Sequence, residues 1–146
     1  MKRPLLLLTG VLIFLIPVGK QAMNPHPGNT SSELFDKIRG IIEARLGGEE
    51  ISCRAFYETT YPLRACYGWK GQTRDFISRF NREISSIATI GGWREDYAVC
   101  GSFFALKESP DRTFGVSIAP KVAHPDLESD DSLREFDLLV TLTVDQ

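Results

Sequence analysis

Cys53, Cys66 and Cys100 carry the widest chemical repertoire in this chain of 146 residues. A thiolate can attack, ligate or be oxidised. Nucleophilic use needs a basic partner that lowers the thiol pKa and takes up its proton. The two histidines are His26 and His124, and neither stands at a spacing that ties it to Cys100. A small buried core group is the expectation for any thiol left unpaired. Serine chemistry finds no better support, because the Gly-x-Ser-x-Gly elbow of a hydrolase does not occur. Cys-x-x-Cys, His-Glu-x-x-His, P-loop and dinucleotide fingerprints are equally missing from the sequence, so no cofactor is expected.

Clustered oxygens offer a different chemistry. The segment His124-Pro125-Asp126-Leu127-Glu128-Ser129-Asp130-Asp131 concentrates carboxylates that could serve calcium. It lacks the EF-hand spacing and that motif's central glycine. The expectation is a solvated connection, with Asp130 or Asp131 capping a short turn around Ser132 to Glu135, and no metal site.

An oxidising compartment would join two of the three cysteines and leave one free. Three pairings exist. If the chain turns about Thr59-Thr60, Cys53 and Cys66 face each other across a hairpin at a separation a disulfide can span. Cys53–Cys66 is therefore the expected bridge, worth about 3 kcal/mol in the chain-entropy model. A bridge to Cys100 across the second helix is the alternative. Aromatic rings beside cations suggest a recognition surface: Tyr67, Trp69 and Trp93, with Lys70, Arg74 and Arg94 nearby. Such a set could stack on a glycan or receive an acidic protein partner. Both tryptophans also fall at helix–strand junctions, where a large ring often seals the edge of a core.

The elements that must position these residues follow from hydrophobic spacing. Leu34, Phe35, Ile38, Ile41, Ile42 and Leu46 recur at helical intervals, which predicts a helix over 31–46. Thr30 and Glu33 form a capping box at its start, and Gly47-Gly48 offers left-handed conformations at its end. A second helix follows Thr73 as cap, with Asp75 in the first turn. Its face is Phe76, Ile77, Phe80, Ile84, Ile87 and Ile90, and Gly91-Gly92 ends it. Strands are predicted over 51–58, 61–69, 97–107, 113–119 and 138–144. Turns are predicted at 58–61 and at Ser109-Pro110-Asp111-Arg112. The order helix, two strands, helix, three strands implies an α+β domain. Its expected form is a two-layer, mostly antiparallel sheet of about five strands, with two amphipathic helices on one face. Gly68-Trp69-Lys70 and Gly92-Trp93-Arg94 echo one another, but the residues between do not align as a repeat.

The N-terminus has a different character. Lys2 and Arg3 precede an apolar run from Leu5 to Val18, interrupted by Thr9, Gly10 and Pro17. The run falls short of the roughly 20 apolar residues a spanning helix needs, and it matches the core of a signal peptide. Residues 1–22 are read as that signal, with an uncleaved membrane anchor as the alternative. Residues 23–31 then form a flexible leader and 32–146 a single domain. Asn29-Thr30-Ser31 fits the N-glycosylation pattern, a match short enough to arise by chance. Losing residues 1–22 removes Lys2, Arg3 and Lys20 but no acidic residue, so the formal charge falls from −2 to −5. An acidic body excludes a nucleic-acid partner of the usual basic-faced kind. The combined expectation is an exported, non-enzymatic interaction domain of the periplasm, envelope or extracellular space, with a protein or glycan partner. It would meet a membrane only if the N-terminal segment is retained. The alternative is a small secreted hydrolytic enzyme whose site is assembled from sequence-distant residues such as Cys100 and His124.

Overall fold

A computed structural model describes residues 30–53 and 63–145. The expected signal, most of the leader, Asn29 and the turn at 58–61 lie outside the described residues. Helix α1 spans Ser31–Gly40 and opens on the predicted capping box. Thr30 Oγ1 accepts from the Glu33 amide at 3.2 Å, and the Glu33 carboxylate accepts from the Thr30 amide at 3.0 Å. The helix continues as a π-helical turn, Ile41–Arg45, and stops where Gly47 takes φ +77. Helix α2 spans Thr73–Ile84, with Gln72 rather than Thr73 at the cap and no side-chain capping bond.

Helix α2 is shorter than its sequence face implies. Ile87 and Ile90 continue the helical spacing, yet the chain leaves the helix after Ile84. The Ser85 hydroxyl donates to the Arg82 carbonyl at 2.9 Å, a local bond of the kind that competes with helix continuation. Lys107 then draws the segment onto the sheet, its amide donating to Ile87 O at 3.0 Å. Ile87 is half-buried, while Ile90 is 44% exposed.

The expected α+β fold with one antiparallel sheet is present, and among the described residues the sheet has seven strands, some of them very short: β1 Glu49–Ile51, β2 Leu63–Trp69, β3 Ala88–Thr89, β4 Arg94–Asp96, β5 Val99–Leu106, β6 Thr113–Pro120 and β7 Leu138–Val144. All pairings are antiparallel, in the order β1-β2-β7-β6-β5-β3, with β4 also on β5. Strands β3 and β4 were invisible as strands because they are two and three residues long. Together they make one interrupted edge along β5. The predicted turn before β6 is present, with the Arg112 amide donating to Ser109 O at 2.9 Å. Among the described residues no helix is long and apolar enough to cross a membrane.

The two faces of the sheet differ. Alternate residues of β2, β5, β6 and β7 form one core with Leu34, Ile38 and Ile42 of the first helix and Phe76, Phe80 and Ile84 of α2. Phe80 is central to it, with Phe104 at 5.5 Å, Phe76 at 5.7 Å and Trp93 at 6.4 Å between ring centroids. Each such ring contributes roughly 1.5–3 kcal/mol of burial. The opposite face is covered at one end only. There the connection from β6 to β7, containing helix α3 (Pro125–Glu128), lays Leu127, Leu133 and Phe136 over Ala119, Leu139 and Cys66.

Candidate functional site

The Cys53–Cys66 disulfide is present, with Cα atoms 5.2 Å apart. Its geometry differs from a directly opposed hairpin pair. Ile51 is the residue opposite Cys66 in the ladder, so Cys53 reaches Cys66 diagonally after β1 has ended. Cys100 is free and half-buried on the helix side of the sheet. Burial, helped by the facing Glu95 carboxylate, pushes its thiol pKa up. Upward is the wrong direction for a nucleophile. His124 begins the segment over the other face, as the residue before α3. His124 Nε2 has no hydrogen-bond partner among the described residues, so it does not pair with the Cys100 thiol.

The acidic segment forms the capped turn expected of it. The Asp130 carboxylate accepts from the Ser132 amide at 2.9 Å and from its hydroxyl at 2.7 Å, and a short 3-10 turn follows over Asp131–Leu133. No group of three or more His, Cys, Asp or Glu arranged to hold a metal occurs among the described residues.

The six aromatic and basic residues singled out by sequence do not share a surface. Tyr67 is 0% and Trp69 4% exposed, because both point from β2 into the helix-side core. Trp69 Nε1 donates to Leu46 O at 2.9 Å. Trp93 is half-buried, its ring edge-on to Phe104 and its Nε1 donating to Asn81 Oδ1 at 3.1 Å. Lys70 and Arg74 are exposed near the start of α2. Arg94 stands apart from them on β4, at the rim of a concavity over the sheet.

That concavity is a groove of about 860 Å³ over the uncovered half of the second face. The strand register builds it from successive cross-sheet rows. Val99, Ala119, Leu139 and Gly68 form a row at the end covered by the α3 segment. The next row is Gly101, Ser117, Thr141 and Cys66, and the one beyond it is Phe103, Gly115, Thr143 and Arg64. Small side chains in these last two rows leave the depth that bulky residues fill on the helix face. A Cβ at Gly101 would meet only Val116 O, at 3.9 Å, so the floor there is open. At Gly115 the situation is reversed. A Cβ would lie 3.0 Å from Phe103 Cε1 and 3.2 Å from Cδ1, because the Phe103 ring rests on the glycine. Phe103 is nevertheless 65% exposed, so much of its ring is open to solvent.

The rim comes from β4 and the turn that follows. Arg94 and Asp96 stand opposite Gly101 and Val99, on the groove side. Tyr97 and Ala98 link β4 to β5 with φ of 48° and 64°. Two left-handed residues in a two-residue connection are what a type I′ hairpin requires, and glycine or asparagine is the usual choice. Tyr97 is 89% exposed and lines the groove. Ser117, Thr141 and Thr143 alternate with apolar residues along their strands, a pattern that carries no sign of concavity. The chain matches no family model, no curated protein and no solved structure, so its function has to be read from these side chains.

Proposed function

We propose that this chain is an exported, non-catalytic interaction domain whose ligand occupies the groove beside β4 and β5. The observation that carries the reading is the half-covered sheet face. One end is sealed by Phe136 and its neighbours, while the other is left with Phe103 and Tyr97 exposed over a floor of small residues. Exposed apolar side chains concentrated in a concavity, rather than scattered singly, are the usual mark of a binding site. The disulfide supports an oxidising compartment. Within this reading residues 1–22 act as the export signal.

Two measurements test it. N-terminal sequencing of the protein from fractionated source cells should give a start near Met23 in the exported fraction. A cytosolic chain retaining Met1 would refute export. For the groove, protein, polysaccharide and lipid fractions of that compartment are titrated into the isotopically labelled chain. One fraction should shift the Gly101 and Gly115 amides, and Gly101→Val should abolish the shift. Binding that leaves these amides unmoved would place the interaction elsewhere.

A further inference from the structure

We infer that the groove ligand is a neutral saccharide, with Phe103 as its stacking platform and Arg94 and Asp96 as the groups that hold its hydroxyls. The inference rests on the groove being the binding site and adds the chemical class of what it binds. Phe103 supplies the first argument. Its ring packs against Gly115 while remaining 65% exposed. A solvent-facing ring matches the apolar C–H face of a sugar, and an aromatic side chain has few rotamers to lose on binding.

Charge supplies the second. Arg94 and Asp96 project from the same side of β4, and neither takes part in an ion pair among the described residues. Their formal charges cancel, so the rim has no excess to attract an anion or a cation. What remains is a planar donor fork beside a planar acceptor, and a sugar hydroxyl both donates and accepts. Ser117 and Thr143 add short hydroxyls along the floor. Thr143 Oγ1 already donates to Gly115 O at 3.4 Å, but an acyl chain in the same place would bury the Ser117 hydroxyl against apolar carbon, at a cost that disfavours it. The volume of about 860 Å³ falls in the range of small-ligand sites.

The test titrates cellotetraose, maltotetraose and chitotetraose separately into the labelled full chain, each to about 10 mM, which reaches millimolar affinities. At least one should shift the Gly101 and Gly115 amides saturably. Phe103→Ala should weaken that binding about tenfold or more, and Phe103→Tyr should restore most of it. Gly101→Val should abolish binding while leaving the folded spectrum intact, because its side chain enters open space. If none of the three sugars moves these amides, the saccharide inference is overturned. Should decanoate then shift them, with Gly101→Val preventing it, the groove reading survives with an apolar ligand. Saccharide binding that persists in Gly101→Val overturns the groove itself.

Discussion

Replacing Tyr67 by Phe removes one oxygen from the interior and nothing else. The Tyr67 side chain is fully buried, and its hydroxyl has no hydrogen-bond partner among the described residues. An unpartnered buried hydroxyl costs about 1–3 kcal/mol, and the aromatic packing is retained in the variant. Tyr67→Phe should therefore be about 1 kcal/mol more stable than the parent near neutral pH. Alkaline pH makes the comparison sharper. Burial, followed by the nearby Glu43 carboxylate, raises the phenol pKa above its ordinary 10.0. The unfolded chain thus loses this proton at a pH where the folded chain keeps it. Stability from this group is fully present below pH 10 and is lost as pH rises towards the folded value. The loss runs at about 1.4 kcal/mol per pH unit. Urea unfolding of both chains at pH 8, 10 and 11, in a Cys100→Ala background to prevent thiol exchange, measures the difference. The advantage of Tyr67→Phe should widen above pH 10. A variant that is less stable at pH 8, or a difference that stays flat with pH, would refute the argument that the hydroxyl is buried and unpartnered.

Two further outcomes follow from close contacts. A Cβ on Gly68 would collide with the Phe136 ring, so Gly68→Ala must displace the ring that covers this end of the sheet. It should cost about 1–3 kcal/mol in urea unfolding, and the penalty should shrink when Phe136→Ala is made as well. Glu95→Gln removes the carboxylate that helps hold the Cys100 thiol protonated. Iodoacetamide should then modify Cys100 a few-fold faster at pH 8, and the pH–rate curve should move downward; an unchanged curve argues against the Glu95 contribution.

Signals carried by neighbouring residues survived from sequence to structure. Thr30 and Glu33 form their capping box, and the strand predicted over 138–144 is β7 in its bounds, although nearly all of it is buried on both faces. Signals that depend on long-range pairing did not. Nothing in Ile87 or Ile90 shows that Lys107 will take that segment into an edge strand. Cys53 and Cys66 pair as expected, but the β1–β2 register sets Ile51 rather than Cys53 directly opposite Cys66. Tyr67 and Trp69 drew attention as ring-bearing residues, yet β2 runs beside the central strand and turns both inward. The groove left no local signature because it is defined by side chains that are small. Gly101, Gly115 and Ser117 become informative only once register aligns them across β5 and β6.

Strand β7 is the last strand in chain order, yet it lies between β2 and β6. Without it, β1 and β2 on one side and β3 to β6 on the other share no strand pairing. The core cannot close until residues 138–144 are available, so a ribosome or an export channel that releases the chain from its N-terminus would deliver every other strand before the one that joins them.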